Sequence, residues 1–188
     1  MNAVSDPGAG ELRVLIHSED IAARLRSLAV EVRASIGADE RPIAVIVLQG
    51  GFIFGADLLR EFPPEFNLDI AFLRCQSYGA ATVSSGKVIL LNDIDPDIDL
   101  HGRTVLLIDD ILDTGRTLKF LADHLIRRGA AKVRLCVLLK REPNENVAAI
   151  AADFSGFTIG SEYVVGYGLD YAGKYRHLPY LAALKTND

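Results

Sequence analysis

The 188-residue chain has 20 basic and 25 acidic side chains, a net charge of −5, and is 49% hydrophobic and 24% charged. That composition is globular and large enough for one domain around a single core, and its acidic balance argues against general nucleic-acid binding, which needs a basic face. No apolar run approaches the roughly 20 residues of a membrane span, and the two cysteines, Cys75 and Cys136, read as reduced core-side thiols of a cytoplasmic protein.

Residues 1–10, with Pro7, Gly8 and Gly10, read as a loose arm lacking the apolar centre of a secretion signal. Residues 11–188 read as one domain. Leu12 to Ile16 reads as a short strand. A helix follows, capped by Ser18 or Asp20, with Ile21, Leu25, Leu28, Val32 and Ile36 as its apolar stripe and Gly37 as its stop. Ile43 to Leu48 reads as a buried strand, followed by Gln49-Gly50-Gly51 and a helix from Phe52 to Phe62 that Pro63-Pro64 ends. The glycine pair is either a tight turn or a place where backbone comes close to an anion.

Asn67 to Ser77 reads as the next strand. Gly79 to Gly86 is small and polar, with little to pack, and is either a hairpin connection to the strand Lys87–Leu91 or a mobile cover. Asp93, Asp95, Asp97 and Asp99 alternate before His101. They lack the glycine and the terminal glutamate of an EF-hand loop, so they read as a solvated turn. Val105 to Ile108 is a strand buried on both faces, as in a parallel sheet. Asp109 and Asp110 follow at its carboxyl end, and a short loop then carries Asp113. A helix then places Leu118, Leu121, Leu125 and Ile126 on one side and stops at Gly129. Lys132 to Leu139 is another buried strand ending in Lys140-Arg141, which ordinary strand-end solvation would explain. Pro143 to Ala152 is a connection leading to Asp153–Gly160 and the Tyr163–Tyr171 segment.

The stretch from Val105 to Leu118 carries the most chemistry. In open α/β sheets, ligands collect at the carboxyl ends of strands. Thr114-Gly115-Arg116-Thr117 opens a helix, where free N–H groups and the dipole favour an anion. Asp109 and Asp110 have the wrong sign for a phosphate but suit sugar hydroxyls or a hydrated divalent metal. The combination describes a phosphorylated ribose carrying a leaving group.

This stretch resembles the phosphoribosyl-pyrophosphate (PRPP) motif of the type I phosphoribosyltransferases: four aliphatics, two acids, two aliphatics, then Asp-Thr-Gly-basic-Thr. The Tyr163–Asp170 segment, with Lys140, is similar to the hypoxanthine-guanine branch. The resemblance covers Arg13 to Pro179. It implies an α/β fold with a central, mostly parallel sheet flanked by helices, and a small hood built from about residues 11–20 and 150–188. It also implies PRPP and hypoxanthine or guanine as substrates, with IMP or GMP and pyrophosphate as products. Mg²⁺ would be the cofactor, and the protein a homodimer or homotetramer with no nucleic-acid or membrane partner.

Site residues follow from the same resemblance. Asp109, Asp110, Asp113, Thr114, Gly115, Arg116 and Thr117 would hold the ribose and its 5-phosphate. Asp113 would be the general base for the purine, although its location also fits a cap of the following helix. Gln49 and Gly50 match a pyrophosphate loop that usually reads Leu-Lys-Gly-Gly, with a cis peptide ahead of the first glycine. Gln49 replaces the lysine. Ser77 and Tyr78, within a flexible loop at 77–86, and Arg176 would also contact pyrophosphate. Lys140 would donate to the exocyclic oxygen of a 6-oxopurine. Tyr163 would stack on the base, Val164 would offer backbone groups, and Asp170 would serve the purine site and, with Asp109 and Asp110, the metal. Tyr167 and Tyr171 read as packing residues.

Three other readings compete. A superfamily enzyme for xanthine or a pyrimidine would share the PRPP motif. A regulatory relative that binds nucleic acid should carry a basic face, which the net charge opposes. A receiver-like acidic pocket would leave Lys140 and the Tyr163–Asp170 segment unexplained.

Overall fold

The computed structural model describes residues 11–37, 40–77, 88–142 and 150–185. The arm at 1–10, Tyr78 with the rest of the expected loop, and the first part of the Pro143 connection lie outside the described residues.

Twelve elements run in order: β1 (Leu12–Ile16), α1 (Ser18–Ala34), β2 (Ile43–Leu48), α2 (Phe52–Arg60), β3 (Asp69–Ser77), β4 (Val88–Asn92), β5 (Thr104–Leu112), α3 (Arg116–Arg127), β6 (Lys132–Arg141), β7 (Phe154–Ile159), β8 (Val164–Val165) and β9 (Leu181–Leu184). The main sheet has the order β4-β3-β2-β5-β6-β7. Its strands are parallel except β4, which runs antiparallel to β3. The expected mostly parallel α/β sheet is therefore what the chain builds. The aliphatic runs Ile43–Val47 and Val105–Ile108 are buried because both faces of the sheet are covered.

On one face, Ile21, Leu25, Leu28 and Val32 of α1 and Phe54 and Leu58 of α2 pack on Ile46, Leu106, Ile108 and Cys136. On the other, Leu118, Leu121 and Leu125 of α3 pack on Val45, Val47, Leu107 and Val137. The chain leaves β2 through α2 toward β3 on one side, and leaves β5 through α3 toward β6 on the other. Strand order thus reverses between β2 and β5. A crevice opens there at the strands' carboxyl ends, the usual ligand position in such sheets.

A second sheet, β1-β9-β8, joins the two ends of the described chain: Leu12 pairs with Leu184, and Val164 with Ala183. This is the expected hood. Its strand β9, Leu-Ala-Ala-Leu, shows no alternation in the sequence because it is buried throughout, so periodicity does not mark it.

Several boundaries differ from expectation. The cap of α1 is His17, which makes no side-chain cap bond. Ser18 and Asp20 lie inside the helix, where Asp20 complements the dipole instead. Helix α2 ends at Arg60, before Phe62. Strand β5 continues through both aspartates to Leu112, because Asp109, Ile111 and Leu112 pair with Val137, Leu139 and Lys140 of β6. The first part of the expected loop, Ile111 and Leu112, is therefore strand. Lys140 and Arg141 likewise belong to β6. In the aspartate turn, Asp99 accepts from the His101 N–H at 2.9 Å, and Asp93 accepts from His124 and Arg128.

Candidate active site

The crevice between β2 and β5 is shaped by a close approach. The Leu48–Gln49 peptide bond is cis. Beyond it, the backbone at Gly50 runs against Asp110: a Cβ on Gly50 would lie 1.7 Å from Asp110 Oδ2. Residues 49–51 form a turn, and Gly50 is required there because no other residue leaves room for the Asp110 carboxylate.

Asp109 is 7% exposed, and its Oδ1 accepts from the Asp110 N–H at 2.9 Å. Burial, then the Asp110 charge, pushes its carboxyl well above the usual aspartate range. Burial also raises Asp110, against the opposing pull of Arg176. Burial, then the charges of Asp109 and Asp110, pushes the Cys75 thiol up to about 11. Cys75 and Cys136 are free thiols, Cys136 fully buried.

A cavity of about 300 Å³ opens at the end of β5, lined by Asp109 to Gly115, Thr117 and Leu118. The cap of α3 is Gly115, left-handed at φ 72°, and among the described residues it brings no side-chain cap bond to the first-turn amides. These N–H groups remain available to an anion. Asp113 is therefore not the helix cap. Its carboxylate stands 60% exposed on the cavity wall, 3.2 Å from Arg141 Nε. Of the expected phosphate cradle, Thr114, Gly115 and Thr117 line the cavity, while Arg116 is exposed in the first turn of α3.

The hood meets the crevice through Gly168. A Cβ there would lie 2.2 Å from the Gly50 carbonyl oxygen, and the Gly168 oxygen accepts from Arg176 Nη1 at 2.6 Å. Arg176 Nη2 pairs with Asp170 Oδ1 at 2.5 Å, and Asp170 Oδ2 accepts from the Gly173 N–H at 2.7 Å. Arg176 and Gln49 share a groove of about 640 Å³ with Leu48, Phe52, Phe72 and Gly173. Tyr163 is 48% exposed. Its hydroxyl donates to the Asp170 oxygen at 3.2 Å, and its ring meets Tyr171 edge-on at 5.5 Å. Val164 is buried in β8. Tyr167 is buried and donates to Asp57 Oδ2 at 2.5 Å, which anchors the hood on α2. Lys140 is exposed, in register with Leu112 of β5. Ser77 ends β3 opposite Val88.

Among the described residues, no group of three or more histidine, cysteine, aspartate or glutamate side chains is arranged to hold a metal ion. Asp109, buried, and Asp110, half-buried, instead offer two carboxylates side by side at one strand end. That donor set fits Mg²⁺, which takes one or two carboxylates and fills its remaining positions with water and phosphate oxygens.

Sequence reasoning passed over Arg141, whose basic side chain next to Lys140 looked like strand-end solvation. It also passed over Gly168, whose one hint was its place in Gly-Tyr-Gly.

Fold and crevice together define a phosphoribosyl transferase domain, and the model of that family matches residues 15–172. A Bacillus subtilis hypoxanthine-guanine phosphoribosyltransferase is 40% identical over 173 residues, covering 92% of this chain and 93% of the relative. A Listeria innocua bifunctional protein TilS/HprT is 42% identical over 173 residues and 92% of this chain, which spans 26% of that longer protein. The crystal structure of a Bacillus anthracis hypoxanthine-guanine phosphoribosyltransferase superposes with a TM-score of 0.84 at 36% identity, covering 93% of this chain and all of that one. The chain belongs to the hypoxanthine-guanine phosphoribosyltransferases, a family of pentosyltransferases.

Proposed function

We propose that the protein transfers the phosphoribosyl group of PRPP to N9 of hypoxanthine, and of guanine, giving IMP or GMP and pyrophosphate in purine salvage. The observation that carries this reading is the convergence at one crevice of the open end of α3, the Asp109–Asp110 pair and the Gln49–Gly50 backbone, with Lys140 on the next strand.

The 5-phosphate sits on the amides of α3 beside Thr114, Gly115, Arg116 and Thr117, where charge and orphan donors are already arranged. Asp109 and Asp110 hold the ribose hydroxyls, and with Asp170 they are the residues that would hold Mg²⁺. That ion would supply charge neutralisation for the pyrophosphate oxygens. Gln49, Gly50 and Arg176 serve the pyrophosphate, Arg176 adding fixed positive charge where negative charge develops on the leaving group, and the family resemblance adds Ser77 and Tyr78 to that set. Tyr163 and Val164 hold the purine by stacking and backbone contacts, with Asp170 alongside. Lys140 donates to its 6-oxygen, an arrangement that leaves the amino group of adenine facing a second donor. Asp113 takes the purine proton, and its exposure on the cavity wall supports that role. Alignment of the two substrates does much of the rest.

The same reading takes residues 11–188 as one domain, supported by the pairing of β1 with β9. It also takes the protein as a cytoplasmic homodimer or homotetramer. Phe52, Ile70, Phe72, Ile89 and Leu91 are exposed apolar side chains, and burial against a second copy would remove them from water. No described helix is long and apolar enough to cross a membrane.

Turnover with PRPP and Mg²⁺ against hypoxanthine, guanine, xanthine and adenine tests the proposal. The expected result is nucleotide from hypoxanthine and guanine; no product from any of the four would overturn it.

A further inference from the structure

We propose that Arg141 is a positioning residue that fixes Asp113 against the part of the hood that carries Tyr163. The inference rests on the reading of Asp113 as the group facing the purine.

Arg141 is the last residue of β6, and its side chain is largely buried. Its guanidinium makes three contacts in two directions. Nε lies 3.2 Å from Asp113 Oδ1. Nη1 donates to the carbonyl oxygens of Gly160 at 2.7 Å and Glu162 at 3.0 Å. Those two carbonyls bracket the turn between the end of β7 and Tyr163. One planar group thus spans the loop after β5 and the segment that presents the aromatic ring. The two share no strand pairing: β5 pairs with β2 and β6, and β8 pairs with β9 in the other sheet.

Asp113 needs such a partner. It sits between the end of β5 and the start of α3, its side chain is mostly in solvent, and it does not cap the helix. A general base must be held to within about half an ångström of its working position. The fork geometry matters too. An arginine satisfies a carboxylate and two carbonyls at fixed directions, whereas a lysine is a single point charge. The turn has backbone support of its own, since the Glu142 N–H donates to Ile159 at 2.9 Å and Arg141 pairs with Ile159 in the sheet. Arg141 is therefore free to serve the site rather than the fold alone.

The test compares wild type, Arg141→Gln, Arg141→Lys and, as a control, Arg13→Gln, which removes only the exposed 3.8 Å pair to Glu162. Steady-state constants are measured separately for hypoxanthine and PRPP, with thermal midpoints alongside. Arg141→Gln should lower kcat/KM for hypoxanthine by on the order of 10²-fold, the scale of a small misplacement of a reacting group. The KM for PRPP should stay within about twofold, since a base-side effect leaves PRPP binding alone. Arg141→Lys should recover part of kcat through its charge but keep a raised KM for hypoxanthine. Arg13→Gln should match wild type.

Unchanged base-side constants in Arg141→Gln would overturn the proposal. So would equal losses toward both substrates with a lowered midpoint that lysine fully restores, since that is a purely structural role. If Arg141→Gln does not fold, a wild-type KM for hypoxanthine in Arg141→Lys overturns it instead. Failure of the wild-type protein to convert any 6-oxopurine would overturn the functional reading itself, before any variant is made.

Discussion

The carboxylate of Asp110 occupies the space that a side chain on Gly50 would need, with a virtual Cβ only 1.7 Å from Oδ2. Two segments 60 residues apart in sequence, the glycine loop after β2 and the acidic end of β5, are thus fitted to each other at the level of single atoms. Gly168 repeats the arrangement from the hood side, where an added Cβ would lie 2.2 Å from the Gly50 carbonyl oxygen. Gly50→Ala must therefore displace either the Asp110 carboxylate or the loop. Overpacking of this kind costs about 1–3 kcal/mol, and activity should fall much further than stability. Thermal unfolding and turnover measured side by side check this; an active, wild-type-like Gly50→Ala protein would contradict the fit.

Asp113 projects into the cavity and contributes no helix cap. Asp113→Asn should reduce kcat by about 10²–10⁴-fold, the usual worth of a positioned general base. PRPP affinity and the unfolding midpoint should hardly move, as expected for a mostly exposed side chain. Calorimetric titration of PRPP, together with kcat, separates this outcome from a general loss of the site.

Buried Asp109, with Asp110 beside it, predicts an unusual pH dependence without metal. Burial and the neighbouring Asp110 charge raise the folded carboxyl of Asp109 above its unfolded value. The folded state then binds that proton more tightly. Its stabilising contribution is full below the ordinary aspartate range and is lost as pH rises through the raised value. Asp69 behaves oppositely. Its bonds from Arg103 and Arg41 lower its carboxyl, so its contribution is lost as pH falls below the ordinary aspartate range. Thermal midpoints in chelator from about pH 4 to 8, a range lying above the ordinary aspartate value, should decline in wild type. They should decline less in Asp109→Asn, which keeps the acceptor for the Asp110 N–H. Mg²⁺ should raise the wild-type midpoint at neutral pH and leave Asp109→Asn nearly unaffected.

Lys140 is exposed at the end of β6, in register with Leu112 beside the cavity. Given its proposed role as donor to the purine 6-oxygen, its replacement with alanine removes an interaction worth about 1.5–3 kcal/mol. The KM for hypoxanthine should rise by roughly one to two powers of ten while the KM for PRPP stays put, and discrimination against adenine should shrink. Competition between the two bases measures both effects in one assay.

The Tyr167 hydroxyl anchors the hood by donating to Asp57, which also pairs with Arg60. Tyr167→Phe keeps the ring and removes that bond. The loss should cost about 0.5–1.5 kcal/mol of stability, with little change in the constants for either substrate. Denaturant unfolding checks the first part and steady-state kinetics the second.

Much of this molecule was legible in the residues alone. The aliphatic runs at Ile43–Leu48, Val105–Ile108 and Lys132–Leu139 announced a buried parallel sheet, because strands covered on both faces need no polar alternation. Asp-Thr-Gly-Arg-Thr announced an anion site at a helix start, because glycine, hydroxyls and free amides are local chemistry. Other features depended on where distant segments meet. Ile111 and Leu112 looked like loop residues until pairing with β6 carried the strand through them. Asp113 could serve as a base or as a helix cap until Gly115 was found in the cap position. Gly50 could have been an ordinary turn residue until Asp110 was found against it, and Arg141 had no role until Asp113, Gly160 and Glu162 were seen around one guanidinium. Composition and local pattern determine which segments are strand, helix or anion cradle. Only the tertiary structure brings the glycine loop, the acidic strand end and the hood within contact distance, because those contacts join residues that no local periodicity relates.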